Sequence, residues 1–251
     1  MTSTTSELAG KVALVTGGAL NIGSAISAAL AAAGAAVAIN TRASREAADV
    51  LAQDIRAAGG QADVFLADIS DGAQVKTMVE AVVKRFGRLD ILVLNASVRT
   101  EKAFLELTYD EWRVPLAITL DGAFYCTQAC APHMIKAGGG AIVTLGGLQA
   151  LSGSKKRVHG SVAKSGLVGF TRALSRDLAE YNIRVNCVAP GQIATVRAAH
   201  RSARKDPKDT IPLGRAGEPR EIADTVRFLC GPGAGFITGQ TIHVNGGQTN
   251  F

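Results

Sequence analysis

Val12-Ala13-Leu14-Val15-Thr16-Gly17-Gly18-Ala19-Leu20-Asn21-Ile22-Gly23 carries an apolar strand through a glycine-rich turn into an alanine-rich amphipathic stretch. Strand, tight turn and helix in that order bring backbone N–H groups and the positive end of a helix together. That arrangement receives the pyrophosphate of a dinucleotide. A glycine turn alone also describes many ordinary loops, so its weight depends on the rest of the chain.

Working outward, apolar runs alternate with helical patterns over the whole sequence. Strand-like runs occupy 12–16, 36–40, 63–67, 91–94, 141–145, 184–188 and 241–244, and helical periodicity covers 22–33, 45–58, 71–86, 109–137, 162–181 and 219–229. Uncovered apolar runs separated by helices predict a parallel sheet buried on both faces. The expected fold is α/β: one Rossmann-like, doubly wound parallel sheet of about seven strands with helices on both faces, formed by residues 1–251 as a single domain. Its ligand crevice lies at the carboxyl ends of the strands. Residues 194–215 are the least regular part, polar and basic, and read as a flexible substrate flap.

Composition narrows the function. The chain has 251 residues, of which 47% are hydrophobic and 19% charged, a balance that excludes a disordered protein. A net charge of +6, with no basic stripe interleaved with aromatics, argues against a nucleic-acid partner. Residues 1–7 are polar and lack the apolar centre of a secretion signal. The stretch 24–41 is broken by Gly34 and reads as helix then strand, not a membrane span. A cytoplasmic location is expected. Cys126, Cys130, Cys187 and Cys230 lack metal-site spacing and read as buried packing thiols, so no metal is expected.

The end of the second strand bears on which nucleotide would bind. It reads Asn40-Thr41-Arg42, followed by Ser44 and Arg45, with no carboxylate for a ribose 2′-hydroxyl. Arg42 can pair with a 2′-phosphate, which favours NADP(H) and leaves NAD(H) open as the alternative. Arg42 and Arg45 also fit as solvated residues at a helix start.

Taken together these segments resemble the short-chain dehydrogenase/reductase family across almost the whole chain. Thr16–Gly23 looks like that family's cofactor loop, with Gly17, Ile22 and Gly23 in place and Asn21 where glycine is usual. Asparagine tolerates the left-handed backbone nearly as well. Asp68 and Ile69 resemble the adenine-contacting segment, and Asn95 and Ala96 the strand-end Asn-Asn-Ala-Gly segment, changed at its first and last positions. Pro190-Gly191-Gln192-Ile193-Ala194-Thr195 resembles the nicotinamide-side loop, in which the resemblance gives Ile193 backbone and the Thr195 hydroxyl to the carboxamide. The tail from Ile237 to Gly247 is similar to the family's last strand and oligomer contact. A homodimer or homotetramer is implied, through the helices at 109–137 and 162–181, and a mixed assembly with an active relative stays open.

The resemblance fails at the acid. The family reduces carbonyls with a tyrosine acidified by a lysine one helical turn later, a serine steadying the oxygen and an asparagine completing a water path. Here the matching helix reads His159-Gly160-Ser161-Val162-Ala163-Lys164: the lysine is Lys164, but the tyrosine position is Gly160. The serine position falls on Gly147 and the asparagine position on Thr119. None of Tyr109, Tyr125 and Tyr181 stands four residues before a lysine, so a small register slip does not restore the motif. Lys164 still suits the nicotinamide ribose hydroxyls.

His159 is the first replacement acid to weigh, since imidazole titrates near neutrality. Adjacent helix positions point about 100° apart, so His159 reaches the crevice only if the helix begins irregularly; otherwise it is a partly exposed capping or surface residue. Ser161, Ser152 and His200 are weaker candidates, and His133 and His243 look structural. Lys155, Lys156 and Arg157 before the helix, with Arg197, Arg201, Arg204, Lys205 and Lys208 in the flap, attract an anionic substrate such as a carboxylate, thioester or carrier protein, or are simply solvated loop charge.

Three functions remain: an NADP(H)-dependent oxidoreductase with an atypical site acting on a small carbonyl, imine or enoyl compound; a catalytically silent NADP(H)-binding partner subunit; and an NADP(H) sensor. The first is favoured by the cofactor segments.

Overall fold

The computed structural model describes residues 6–196 and 206–250. Within them one sheet of seven parallel strands runs β1 (Val12–Val15), β2 (Ala36–Thr41), β3 (Gln61–Leu66), β4 (Ile91–Leu94), β5 (Gly140–Leu145), β6 (Ile183–Pro190) and β7 (Thr241–Val244), in the spatial order β3-β2-β1-β4-β5-β6-β7. The seven expected strands are all present, with ends moved by up to two residues. The chain leaves β1 towards β2 on one side, and β4 pairs with β1 on the other, Ala13 opposite Ile91. This switch point lies directly beneath the glycine turn.

Strand period decides which layer each residue serves. Ala13 and Val15 point to one face, with Val37, Ile39, Val93 and Val143, against α1 (Asn21–Ala32), α2 (Arg45–Ala57) and α9 (Pro219–Cys230). Val12 and Leu14 point to the other face, with Ala38, Leu92 and Ile142. There they meet α3 (Gly72–Phe86), α5 (Gly122–Lys136) and α7 (Val158–Asp177). Two apolar layers therefore sandwich the sheet, as continuous apolar strands require. All four cysteines are buried and free. No described helix is long and apolar enough to cross a membrane.

Three expected elements differ in detail. The helix at 109–137 is divided: α4 (Tyr109–Leu116) is capped by a reciprocal Thr108–Glu111 pair, and a five-residue π segment, Ala117–Asp121, joins it to α5. Pro115 lies inside α4 just before that segment, where it has no N–H to offer the carbonyl four residues back. The helix expected at 162–181 begins at Val158 instead, which puts His159 and Gly160 inside it, and ends at Asp177 before a 3-10 turn, Ala179–Tyr181. One-turn helices absent from the sequence reading are α6 (Gln149–Ser152) and α8 (Pro207–Thr210), the latter capped by Asp206. In the expected flap, α8 is regular structure and Lys208 is exposed. Arg197, His200, Arg201, Arg204 and Lys205 lie outside the described residues.

Candidate functional site

The glycine turn after β1 is locked from beneath by two buried polar side chains. Thr16 Oγ1 accepts the backbone N–H of Asn95 and Ala96 at 3.0 and 3.1 Å and donates to Val93 O. Asn40, 1% exposed, donates its side-chain amide to Phe65 O and Ala67 O and accepts Gly17 N at Oδ1 at 3.4 Å, while its backbone carbonyl accepts Gly18 N at 2.9 Å. Neither residue was singled out in the sequence. A polar residue closing an otherwise apolar strand was the available signal.

The turn above them leaves no room for side chains. A Cβ on Gly23 would lie 2.1 Å from Gly17 O, and one on Gly17 would lie 3.0 Å from Ala96 Cα at a backbone φ of +59°. Asn21 holds φ at +52°, the left-handed conformation expected of it. Its Oδ1 accepts Val196 N at 2.9 Å, tying the turn to the loop after β6. Helix α1 starts here with no side-chain cap and no acidic residue in its first turn. Its first N–H groups thus face the groove as anion donors. These features fit a dinucleotide pyrophosphate.

From the turn a groove of about 480 Å³ runs past Gly17, Asn21, Ile22, Gly23, Arg42, Asp68, Ile69, Asn95, Ala96 and Thr195. Arg42 Nη1 donates to Asp68 Oδ2 at 3.2 Å, with the arginine largely exposed. Ser70, through its hydroxyl, holds the Asp68 carboxyl below its ordinary range, and Arg42 adds to the effect. Arg45 is drawn instead to Asp49.

A second cavity of about 500 Å³ continues the groove through Ile22, Asn95 and Thr195. It is lined by Thr119, Gly147, Gly160, Lys164, Pro190, Gly191 and Ile193, so the sequence-selected positions from four separate segments converge. The loop after β6 is fixed by Gln248, whose Oε1 accepts Gln192 N at 3.1 Å, and by Gly217, whose carbonyl accepts Ala194 N. Lys164 is 9% exposed and its ammonium donates to Leu145 O at the end of β5. Burial lowers its pKa to about 8, and nearby Arg157 pushes the same way. Thr119 is buried on the π segment, Gly160 sits one turn before Lys164, and Gly147 follows β5. No tyrosine lines this cavity among the described residues.

His159 departs from both of its expected roles. It is neither a cavity residue nor an exposed cap: it is 1% exposed and its Nε2 lies 2.6 Å from Thr100 Oγ1. Burial depresses its pKa, with Arg157 pushing the same way. The regular start of α7 is the cause, since it turns residue 159 away from the side shown by Gly160 and Lys164. Ser152 does line the cavity, but its hydroxyl donates to Leu148 O and Gly153 O. Ser161 does not line it.

The basic run before α7 also splits. Lys155 and Lys156 are exposed, whereas Arg157 is 8% exposed and faces the cavity with Arg99. No aspartate or glutamate lines it among the described residues, so its ionisable lining is cationic. The groups that can meet a ligand are otherwise amides and hydroxyls, including Gln149, Gln192 and Ser97. No cluster of three metal-ligating side chains occurs among the described residues.

Comparison with known proteins follows the same outline. The profile of a family described as enoyl-(acyl carrier protein) reductase matches residues 17–249. A 3-oxoacyl-(acyl-carrier-protein) reductase of Synechocystis is 37% identical over 245 residues, covering 97% of this chain and 99% of that protein. A short-chain dehydrogenase/reductase from Serratia marcescens superposes with a TM-score of 0.92 at 38% identity, covering 97% of this chain and 100% of that one. A short-chain dehydrogenase from Burkholderia cenocepacia, solved in complex with NADP, superposes at 0.91 with 34% identity, covering 96% and 99%.

Proposed function

The chain belongs to the short-chain dehydrogenase/reductase family, and from that premise we propose that it is an NADP(H)-dependent oxidoreductase whose active site works without the family's tyrosine and serine. Its substrate is a small, anionic carbonyl, imine or enoyl compound. The observation that carries this reading is the cavity wall beside Lys164, where residue 160 is a glycine and no tyrosine lines the cavity among the described residues.

Bound in the groove, the nicotinamide supplies or accepts a hydride; the protein's own residues decide where and to what. Gly17, Gly23 and the start of α1 receive the pyrophosphate, Arg42 the 2′-phosphate, and Asp68, Ile69, Asn95 and Ala96 the adenosine side. Pro190, Gly191, Ile193 and Thr195 hold the nicotinamide edge, and Lys164 the adjoining ribose. Gly160, Gly147 and Thr119 stand where the family's tyrosine, serine and asparagine act. Without a phenol, the proton at the substrate comes from water or from the substrate itself. An iminium or conjugated acceptor needs least help of this kind. His159, turned towards Thr100, is outside that path.

The same reading places the protein in the cytoplasm as a dimer or tetramer. Val114, Phe124 and Val162, exposed on α4, α5 and α7, offer the apolar surface for assembly, which light scattering on the purified chain measures. Activity is tested with stereospecifically deuterated NADPH and a panel of ketones, imines and enoyl thioesters. Deuterium is expected in the amine formed from an imine or in the saturated thioester formed from an enoyl thioester. Absence of label from every product, with NADPH bound, assigns the chain instead to a silent partner role.

A further inference from the structure

The space in front of Gly160 is bounded by two nitrogen donors. A Cβ built on Gly160 has Arg157 Nη2 as its nearest neighbour at 3.7 Å and Gln149 Nε2 next at 4.0 Å. Both residues line the cavity that contains Gly147, Thr119 and Lys164. A guanidinium has five N–H donors and no acceptor, and it keeps its charge at any working pH. The removed side chain has therefore been replaced by a group that can hold an anion and cannot give up a proton.

The arginine is held there by the surrounding backbone. Arg157 precedes α7, its carbonyl accepts Ser161 N at 2.8 Å, and it is 8% exposed. On either side of it in sequence, α7 is tied to the loop after β4. Lys156 O accepts Lys102 N at 2.8 Å, and His159 bonds Thr100. That loop also brings Arg99 to the cavity, while Lys102 is engaged with Glu111 at 3.1 Å. Buried His159 thus serves as a strut for the arginine's neighbourhood.

We propose that Arg157 and Gln149 form a carboxylate seat in the volume that a side chain at position 160 would fill, so that the substrate carries a free carboxylate next to its reducible group. The proposal rests on the oxidoreductase reading for its substrate, but the seat belongs to the chain whatever the chemistry. Charge, planarity and location select a carboxylate: a planar guanidinium matches two carboxylate oxygens side by side, and a side-chain amide adds a third donor. The cavity is about 500 Å³, and Arg157, Gln149 and Gly160 all line it. A thioester tethered to a carrier would present a neutral carbonyl there, which takes a single donor and does not match the planar, charged fork of the guanidinium. The seat therefore separates free acids from their esters and thioesters.

The test is calorimetric and uses no turnover. Acetoacetate and methyl acetoacetate are titrated into the protein saturated with NADP+ and, in parallel, into the free protein. Acetoacetate is expected to bind at least tenfold more tightly than the ester. Arg157→Gln is expected to abolish that preference and Arg157→Lys to retain part of it. Gly160→Tyr, which fills the seat with Arg157 still present, is expected to abolish it as well. Should Arg157→Gln fail to fold, Gly160→Tyr and Gln149→Leu give the same readout, with circular dichroism and the NADP+ affinity as controls. Equal binding of acid and ester, no heat from acetoacetate, an undiminished preference in Arg157→Gln, or displacement of NADP+ by acetoacetate each overturns the proposal. Failure to bind NADP+ instead removes the oxidoreductase reading, and the titration of the free protein still decides the seat.

Discussion

Arg42 and Asp68 meet at 3.2 Å across the groove, joining the loop after β2 to the loop after β3. On the proposed reading Arg42 receives the 2′-phosphate, and the Asp68 carboxylate competes for the same guanidinium. Exposed pairs of this kind contribute about 0–1 kcal/mol to stability, so their consequence is for ligand choice. NADPH is expected to bind at least tenfold more tightly than NADH, and Arg42→Ala to remove most of that ratio. Asp68→Asn should raise the ratio by freeing Arg42. Fluorescence titration of both nucleotides measures all three, and equal affinities in the parent protein refute the 2′-phosphate assignment.

Restoring the family's acid requires more than one change. A Cβ at position 160 would lie 3.7 Å from Arg157 Nη2, so a phenol extended towards the guanidinium would compete with it for space. Gly160→Tyr with Gly147→Ser is expected to give little ketone reduction. Adding Arg157→Ala to the pair should raise kcat on a neutral ketone at least tenfold over the double variant. High activity in the double variant alone would show that Arg157 yields easily.

Lys164 predicts a stability change with a definite sign. Burial lowers its pKa from 10.5 in the unfolded chain to about 8 in the fold. Between those values the unfolded chain binds more protons, so stability rises with pH, by roughly 3 kcal/mol over the full interval. Below pH 8 the buried charge opposes folding to its full extent. Lys164→Met removes this dependence while leaving Leu145 O without its donor, an offset of about 1–3 kcal/mol that does not vary with pH. Urea unfolding at several pH values should show the parent gaining on the variant between pH 8 and 10.5. A constant difference would mean that Lys164 titrates normally.

Asp90 stabilises the opposite end of the sheet. It is 1% exposed, accepts Val12 N at 3.0 Å and pairs with Arg88 and Lys11. Burial raises its pKa, but Arg88, Val12 N and Lys11 together outweigh this and hold it below the ordinary carboxylate value. Its contribution is present above the unfolded pKa of 3.8 and is lost as pH falls through the lower folded value. Asp90→Ala should cost about 2–3 kcal/mol, chiefly by orphaning Val12 N, and leave NADPH affinity unchanged because the site is at the other strand ends. Paired unfolding and binding measurements check both parts.

The strands were legible because each is a short, uncovered apolar run, and burial on both faces writes that pattern directly. The tight turn after β1 was legible because glycine at 17 and 23 answers a backbone requirement visible in sequence. Arg157 was legible only as one of three basic residues that attract an anionic substrate or are solvated, with nothing in the run to separate it from Lys155 and Lys156. Only the path of the chain into α7 turns the third residue inward and leaves the first two exposed. His159 failed in the same way, through a helix that begins four residues earlier than its apolar period suggested. Asn40 was read only as part of the end of the second strand, because the partners its amide holds, Phe65 O on β3 and Ala67 O just after it, belong to a different strand segment and are not visible in sequence.

Thr119 owes its place in the cavity to an irregularity in hydrogen-bond spacing. The π segment, Ala117–Asp121, contains one residue beyond what a regular α-helix would need to join α4 to α5. Excising a single residue there would let the two helices merge smoothly while rotating one relative to the other by about a quarter turn. The cavity wall at Thr119 therefore depends on the residue count of this helix, and a one-residue deletion there is expected to displace that wall while leaving the sheet in place.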